Sequence, residues 1–238
     1  MTWLICRPSH IIHIESLFRP ELYKPMVRRI LRIGVPNGLE NGMFQVGKLL
    51  VLGLVTPLGT SATAANAIAN SVASVVNVPG NAISLSLITV VGQCMGAGDS
   101  RQAVGYTRKL MAIVYLAMGT LSVLLFFFAA PVVGIFGLTA GAAAMAVEVL
   151  RWCSLFSLVF WPMSFCLPNA LRASGDAKFT MIVSMCSMWI FRIGFSFLLV
   201  PQIGLLGVWV SMFIDWIVRA VIFLIRFLSG RWKTKKVI

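Results

Sequence analysis

Charge is scarce in this chain. Of its 238 residues only 11% are Asp, Glu, Lys or Arg, and just seven are acidic, where soluble domains carry roughly 25% charged residues. With 59% hydrophobic side chains and a mean hydropathy of +0.92, that shortage excludes an ordinary water-soluble domain and with it most enzymes built on soluble folds. Histidine is nearly missing: His10 and His13 stand together near the start and no H-E-x-x-H occurs, so zinc-dependent proteolysis has no ligands. Five cysteines (Cys6, Cys94, Cys153, Cys166, Cys186) lie in apolar sequence without C-x-x-C spacing, which reads as reduced, buried fillers. No nucleophile, base and orienting group converge, so neither an enzyme nor a cofactor is expected.

What the chain has instead is apolar length. About 20 apolar residues cross ~30 Å of hydrocarbon, and six segments qualify, near 30–55, 62–91, 110–130, 143–170, 180–200 and 206–228. The sequence therefore predicts an all-α membrane protein of six transmembrane helices, its first partner the lipid bilayer. The net charge of +13 would suggest nucleic acid in a soluble protein, but sixteen of the twenty basic residues fall in segments 1–32, 92–109, 171–179 and the tail from Arg226, on one side of the membrane. Loops 56–61, 131–141 and 201–206 carry none. Cytoplasmic loops collect Lys and Arg, so both termini are expected in the cytoplasm of a multi-pass protein of the cell membrane, and no nucleic acid is expected. The organisation reads as a cytoplasmic linker (1–29), a six-helix body (30–228) and a basic tail (229–238). Met1 to Cys6 is too short for the apolar core of a cleavable leader; residues 11–18 could instead lie on the membrane surface.

Polar residues inside spans carry the functional hints. In the first span Asn37, Glu40, Asn41, Phe44 and Lys48 share about a third of the helical circumference, with Gln45 beside them. An intramembrane carboxylate costs a few kcal/mol and normally faces a bundle interior or wet cavity. Glu40 is thus the candidate for cation or proton binding, with Asn37, Asn41 and Gln45 as polar neighbours; the alternative is a static ion pair with Lys48 or a basic residue elsewhere. Gly34, Gly38 and Gly42 form a row on which another helix could pack. In the second span Asn66, Asn70, Asn77 and Asn81 share a face that either lines a substrate cleft or bonds neighbouring helices, and Pro79–Gly80 interrupts the same helix. Arg192 and Asp215 are equidistant from the hairpin at 201–206, so an ion pair at matched depth is expected. Asp99 and Asp176, each after a glycine and before a helix, read as N-caps.

These residues fall within four longer motifs: G-V-P-N-G-L-E-N-G-M-F (Gly34–Phe44), V-G-Q-C-M-G-A-G-D (Val91–Asp99), P-N-A-L-R-A-S-G-D (Pro168–Asp176) and G-V-W-V-S-M-F-I-D-W (Gly207–Trp216). From about Arg28 to Trp232 the chain resembles the carboxy-terminal half of the multidrug and toxic compound extrusion (MATE) transporters. The resemblance implies the seventh to twelfth helices of a twelve-helix antiporter that expels small cationic organic compounds in exchange for Na⁺ or H⁺. Glu40 matches that family's coupling glutamate on the seventh helix, and no metal beyond Na⁺ at Glu40 is implied. Where some members carry an acidic residue on the tenth helix, this chain reads Phe160, Trp161, Pro162 and Met163.

Alternating access is the movement of one bundle against another, so a lone lobe must pair with a second copy of itself or with a separately encoded amino-terminal lobe. The rival readings are a flippase of lipid-linked oligosaccharide in the same superfamily and an inactive truncated fragment or scaffold. Few basic residues lie inside the spans (Lys48, Arg151, Arg192, Arg219), which counts mildly against an anionic flippase cargo.

Overall fold

The computed structural model describes residues 23–233. Among them there is no strand, and the helices in chain order are α1 (Lys24–Val55), α2 (Thr60–Val76), α3 (Val78–Gly96), α4 (Ser100–Gly134), α5 (Ala140–Val159), α6 (Leu167–Ala173), α7 (Ala177–Ser187), α8 (Phe195–Ile203) and α9 (Leu205–Leu228). The chain divides into two compact units at Val35/Pro36, and the second of them holds the transmembrane body.

Six segments are long and apolar enough to cross a membrane: Gly38–Leu58, Val78–Gly96, Ser100–Gly134, Ala140–Val159, Ala177–Ile203 and Leu205–Leu228. The protein is a multi-pass membrane protein, and its perimeter agrees: Leu116, Phe127, Ile135, Leu198 and Ile225 are all more than 60% exposed, as lipid contact requires. Three expected spans are built differently from a straight rod. The segment expected at 62–91 is two helices that meet at Asn77, with the Asn77 N–H bonded to Ala73 and the Asn81 N–H to Asn77. Pro79 has no N–H to give and bends the chain here. The segment expected at 143–170 runs through α5, a π-helical turn (Pro162–Cys166) and α6; that at 180–200 runs through α7, a π-helical turn (Met188–Gly194) and α8. A π-turn spends an extra residue per turn and so re-aims the side chains beyond it.

Close packing depends on where side chains are missing. A Cβ on Gly207 would lie 2.6–2.8 Å from backbone atoms of Leu199 and Val200, so α8 and α9 touch main chain to main chain. Gly80, at the bend, lies against Trp161 and Met118. Around these contacts aromatic rings fill the interior: Phe156 stacks on Phe213 at 4.4 Å, Trp161 on Phe165 at 5.1 Å, and Trp216 meets Phe165 edge-on at 6.0 Å. In the glycine row a Cβ at Gly38 or Gly42 would meet nothing within 4 Å, so no helix among the described residues packs on those two positions. Cys153 and Cys166 are buried fillers, but Cys186 is exposed; all four described cysteines are unpaired.

The two aspartates expected as caps diverge. Asp99 accepts the Gln102 N–H at 2.9 Å, whereas buried Asp176 makes no cap bond. It pairs instead with Arg226 near the end of α9, Nε to Oδ2 2.7 Å, and the same guanidinium lies 4.5 Å from the Phe179 ring. Beyond α9, Trp232 is fully buried and stacks on Phe227 at 5.3 Å.

Gly207→Ala should lower the melting temperature of the purified protein by the equivalent of about 1–3 kcal/mol, the usual cost of overpacking. Gly92→Ala, where a Cβ meets nothing within 4 Å, should leave it unchanged or raise it, since alanine is the better helix former. Asp176→Asn should cost about 3 kcal/mol by stranding the Arg226 charge, read as loss of folded protein in a thermal extraction assay.

Candidate functional site

Helix α1 presents Glu40, Phe44 and Lys48 at four-residue steps, so the three stack along one stripe. Glu40 is buried at 8% exposure. Its Oε1 accepts a hydrogen bond from Arg172 Nη2 at 2.5 Å, a charge-assisted ion pair. Its Oε2 is buried without a hydrogen-bond partner. Arg172 sits in the last turn of α6 and is held from two other directions: Nη1 donates to Asn169 Oδ1 at 3.1 Å, and Nε to Thr180 Oγ1 at 3.3 Å. Neutral partners thus hold the guanidinium beside the carboxylate.

One turn along α1, the Phe44 ring is ringed by cations. Lys48 Nζ and the Arg192 guanidinium lie 5.6 Å from its centroid and the Arg219 guanidinium 5.9 Å, while Arg219 also lies 4.6 Å from the Phe165 ring. Arg219 donates Nη2 to the Ser164 carbonyl at 3.3 Å and to Ser184 Oγ at 3.1 Å. Asp215 is fully buried; its Oδ1 accepts from Ser187 Oγ at 2.5 Å and its Oδ2 has no partner.

The expected Arg192–Asp215 ion pair is therefore not formed as a contact. The two ion pairs between the described residues of the second unit are Glu40–Arg172 and Asp176–Arg226. The depth argument holds for a straight helix, but Arg192 lies within the π-turn of Met188–Gly194, which rotates it out of register with Asp215 and leaves that carboxylate to Ser187. Arg192, only 8% exposed, lies over Phe44 instead.

Other expected site residues separate. Asn41 and Gln45 are exposed and make no hydrogen bond to Glu40, whose described partner is Arg172. The side chain of Asn37 lies outside the described residues. The asparagine face of the second span also divides. Asn66 is buried and accepts the Trp209 indole N–H at 3.1 Å, and Asn70 donates to its Oδ1 at 3.1 Å. That makes Asn66 a bond between α2 and α9 and not a cleft wall. Asn77 is half-buried with an unpartnered Oδ1, and Asn70 and Asn81 are exposed. Sequence reasoning missed Arg172 as the partner of Glu40, although it stands in the L-R of a motif already singled out. It also missed Phe44 and Phe165 as the surfaces on which the buried arginines rest.

The MatE family model matches residues 36–198. A probable multidrug resistance protein NorM from Thermotoga maritima is 30% identical over 213 residues, 89% of this chain and 46% of that protein. An uncharacterized transporter, YisQ, from Bacillus subtilis is 25% identical across 90% of this chain and 47% of its own length. The chain spans about half the length of the curated relatives it matches. Among solved structures, the outward-facing conformation of a multidrug resistance MATE family transporter of the MOP superfamily superposes with a TM-score of 0.85 at 20% identity, covering 98% of this chain and 53% of that one. A MATE structure in the bent conformation gives 0.86 at 18% identity, covering 100% and 53%. The six-helix architecture is therefore that of one half of such a transporter, and the family model settles the kinship: the chain belongs to the MatE family.

Proposed function

We propose that this chain is the cation-coupled half of an exporter of small cationic organic compounds, exchanging them for H⁺ or Na⁺ across the cell membrane. The observation that carries the reading is Glu40: a carboxylate inside a span, held at one oxygen by Arg172 and buried without a partner at the other. A static structural pair would be expected to satisfy both oxygens. Among the described residues no group of three or more His, Cys, Asp or Glu side chains converges, and the neighbour of Glu40 is a guanidinium. A proton on Oε2 suits that environment better than a Na⁺ ion, which needs a shell of oxygens.

In this mechanism Arg172 is a tethered counter-cation that competes with the proton. Protonation neutralises Glu40 and weakens its hold on Arg172, which stays on Asn169 and Thr180. The bond that ties α1 to α6 then slackens. Loss of the proton restores the tie, so proton occupancy biases a two-state packing of α1. Rocking needs a second six-helix body, which a second copy of this chain or an amino-terminal lobe would supply. The clustering of Lys and Arg at 1–32, 92–109, 171–179 and the tail supports cytoplasmic termini.

The test is accumulation of a fluorescent cationic dye in efflux-deficient cells producing the chain alone or with an amino-terminal lobe. Export above vector level is expected in at least one arrangement, and Glu40→Gln should return it to vector level; export unaffected by that substitution sinks the reading. The ion pair has its own signature in stability. Arg172→Gln should lower stability by about 3 kcal/mol because it strands a buried carboxylate, and Glu40→Gln/Arg172→Gln should be more stable than Arg172→Gln alone. Additive losses in that double-mutant cycle would mean the two side chains are not coupled.

A further inference from the structure

The buried charge around Phe44 does not balance. Arg192 and Arg219 place two buried positive charges within 5.6–5.9 Å of one ring centroid, and Lys48, at an exposed position, adds a third at 5.6 Å. Among the described residues the carboxylate near them that is not already paired is Asp215, whose charge acts on both arginines; Glu40 also acts on Arg219 but is paired with Arg172. An aromatic face softens a cation's desolvation but neutralises nothing. Intramembrane arginines are costly unless paired or wetted, and Arg219 is 2% exposed and Arg192 8%.

The hydrogen-bond inventory points the same way. Arg192 Nε, Arg219 Nε and Arg219 Nη1 are buried donors without an acceptor, and so are the indole N–H groups of Trp189 and Trp216. These come as two copies of one sequence spacing, W-I-F-R (Trp189–Arg192) in the π-turn and W-I-V-R (Trp216–Arg219) on α9, where the three-residue step puts tryptophan and arginine on the same side of the helix. Buried donors almost always find an acceptor. Five donors without one, with one buried positive charge uncompensated, ask for a ligand that accepts from several directions and carries negative charge.

From this we infer that the lobe binds a small monovalent inorganic anion, chloride being the abundant candidate, between the π-turn of Met188–Gly194 and α9 beside Phe44. Arg192 and Arg219 are its charged ligands. Serine hydroxyls already hold Asp215 Oδ1 and Arg219 Nη2, which leaves the remaining guanidinium N–H groups for the anion. The inference is independent of the coupling role of Glu40, because the site takes an anion whether or not the chain transports.

The experiment is thermal unfolding of the purified full chain in nanodiscs, with sodium and ionic strength fixed and gluconate exchanged stepwise for chloride. A saturable rise in melting temperature on the order of 5 °C is expected at tens of times the dissociation constant. It should be reproduced by bromide and lost in Arg192→Gln and in Arg219→Gln, while Arg151→Gln, at an exposed position, keeps it. Equal melting temperatures in chloride and gluconate overturn the proposal using wild-type protein alone, whatever the variants do. A chloride response that survives both arginine substitutions also overturns it, since the ion would then sit elsewhere. Stabilisation by inorganic phosphate with none by chloride overturns it in favour of a polyanionic headgroup.

Discussion

Every ionised side chain within the hydrocarbon has to be answered by another group of the protein, because water is not there to do it. That constraint organises this lobe. It draws α1 against α6 through Glu40 and Arg172, and it holds α7 against α9 through Ser187 and Asp215. It also turns Arg192 and Arg219 onto the faces of Phe44 and Phe165. The apolar packing of Phe156, Phe213, Trp161 and Trp216 supplies bulk and shape, but it is indifferent to register along a helix. The charges are not, and they set which turn of α1 lies at which depth.

Two kinds of backbone irregularity make these pairings reachable. The bend at Asn77 to Gly80 lets a long apolar stretch pass close to Trp161 and Met118. The π-turns at Pro162–Cys166 and Met188–Gly194 release a carbonyl and re-aim a side chain: Ser164 offers its carbonyl to Arg219 from the first, and Arg192 leaves the register of Asp215 in the second. Irregular backbone at membrane depth is tolerated where it is buried in protein: the first turn buries Pro162, Ser164 and Cys166 and the second Met188, Arg192 and Ile193, with Ile190 left exposed.

Much of the architecture was legible in the sequence because hydropathy and length report directly on a solvent ~30 Å thick. Six spans, a kink at Pro79 and a carboxylate at Glu40 all come from composition and spacing. What was not legible depended on contacts between segments far apart in sequence or on departures from 3.6 residues per turn. Arg172 lies 132 residues from Glu40, and no periodicity relates them. Arg192 and Asp215 were matched by counting along ideal helices, which a π-turn invalidates. Asn66 and Asn81 look alike in the sequence, yet one bonds Trp209 and the other faces outward. Asparagine in a span marks a polar contact without naming the partner.

The pairing of Glu40 with Arg172 has a consequence for how the chain is made. The first span enters the membrane before its counter-charge exists, since Arg172 is synthesised 132 residues later, on the order of ten seconds at ordinary translation rates. During that interval a poorly hydrophobic helix carries an unanswered carboxylate. The insertion machinery must shelter it until the fourth span arrives, so final seating of the first helix is a late event in biogenesis, and the order of emergence from the ribosome is not the order in which the helices come to rest.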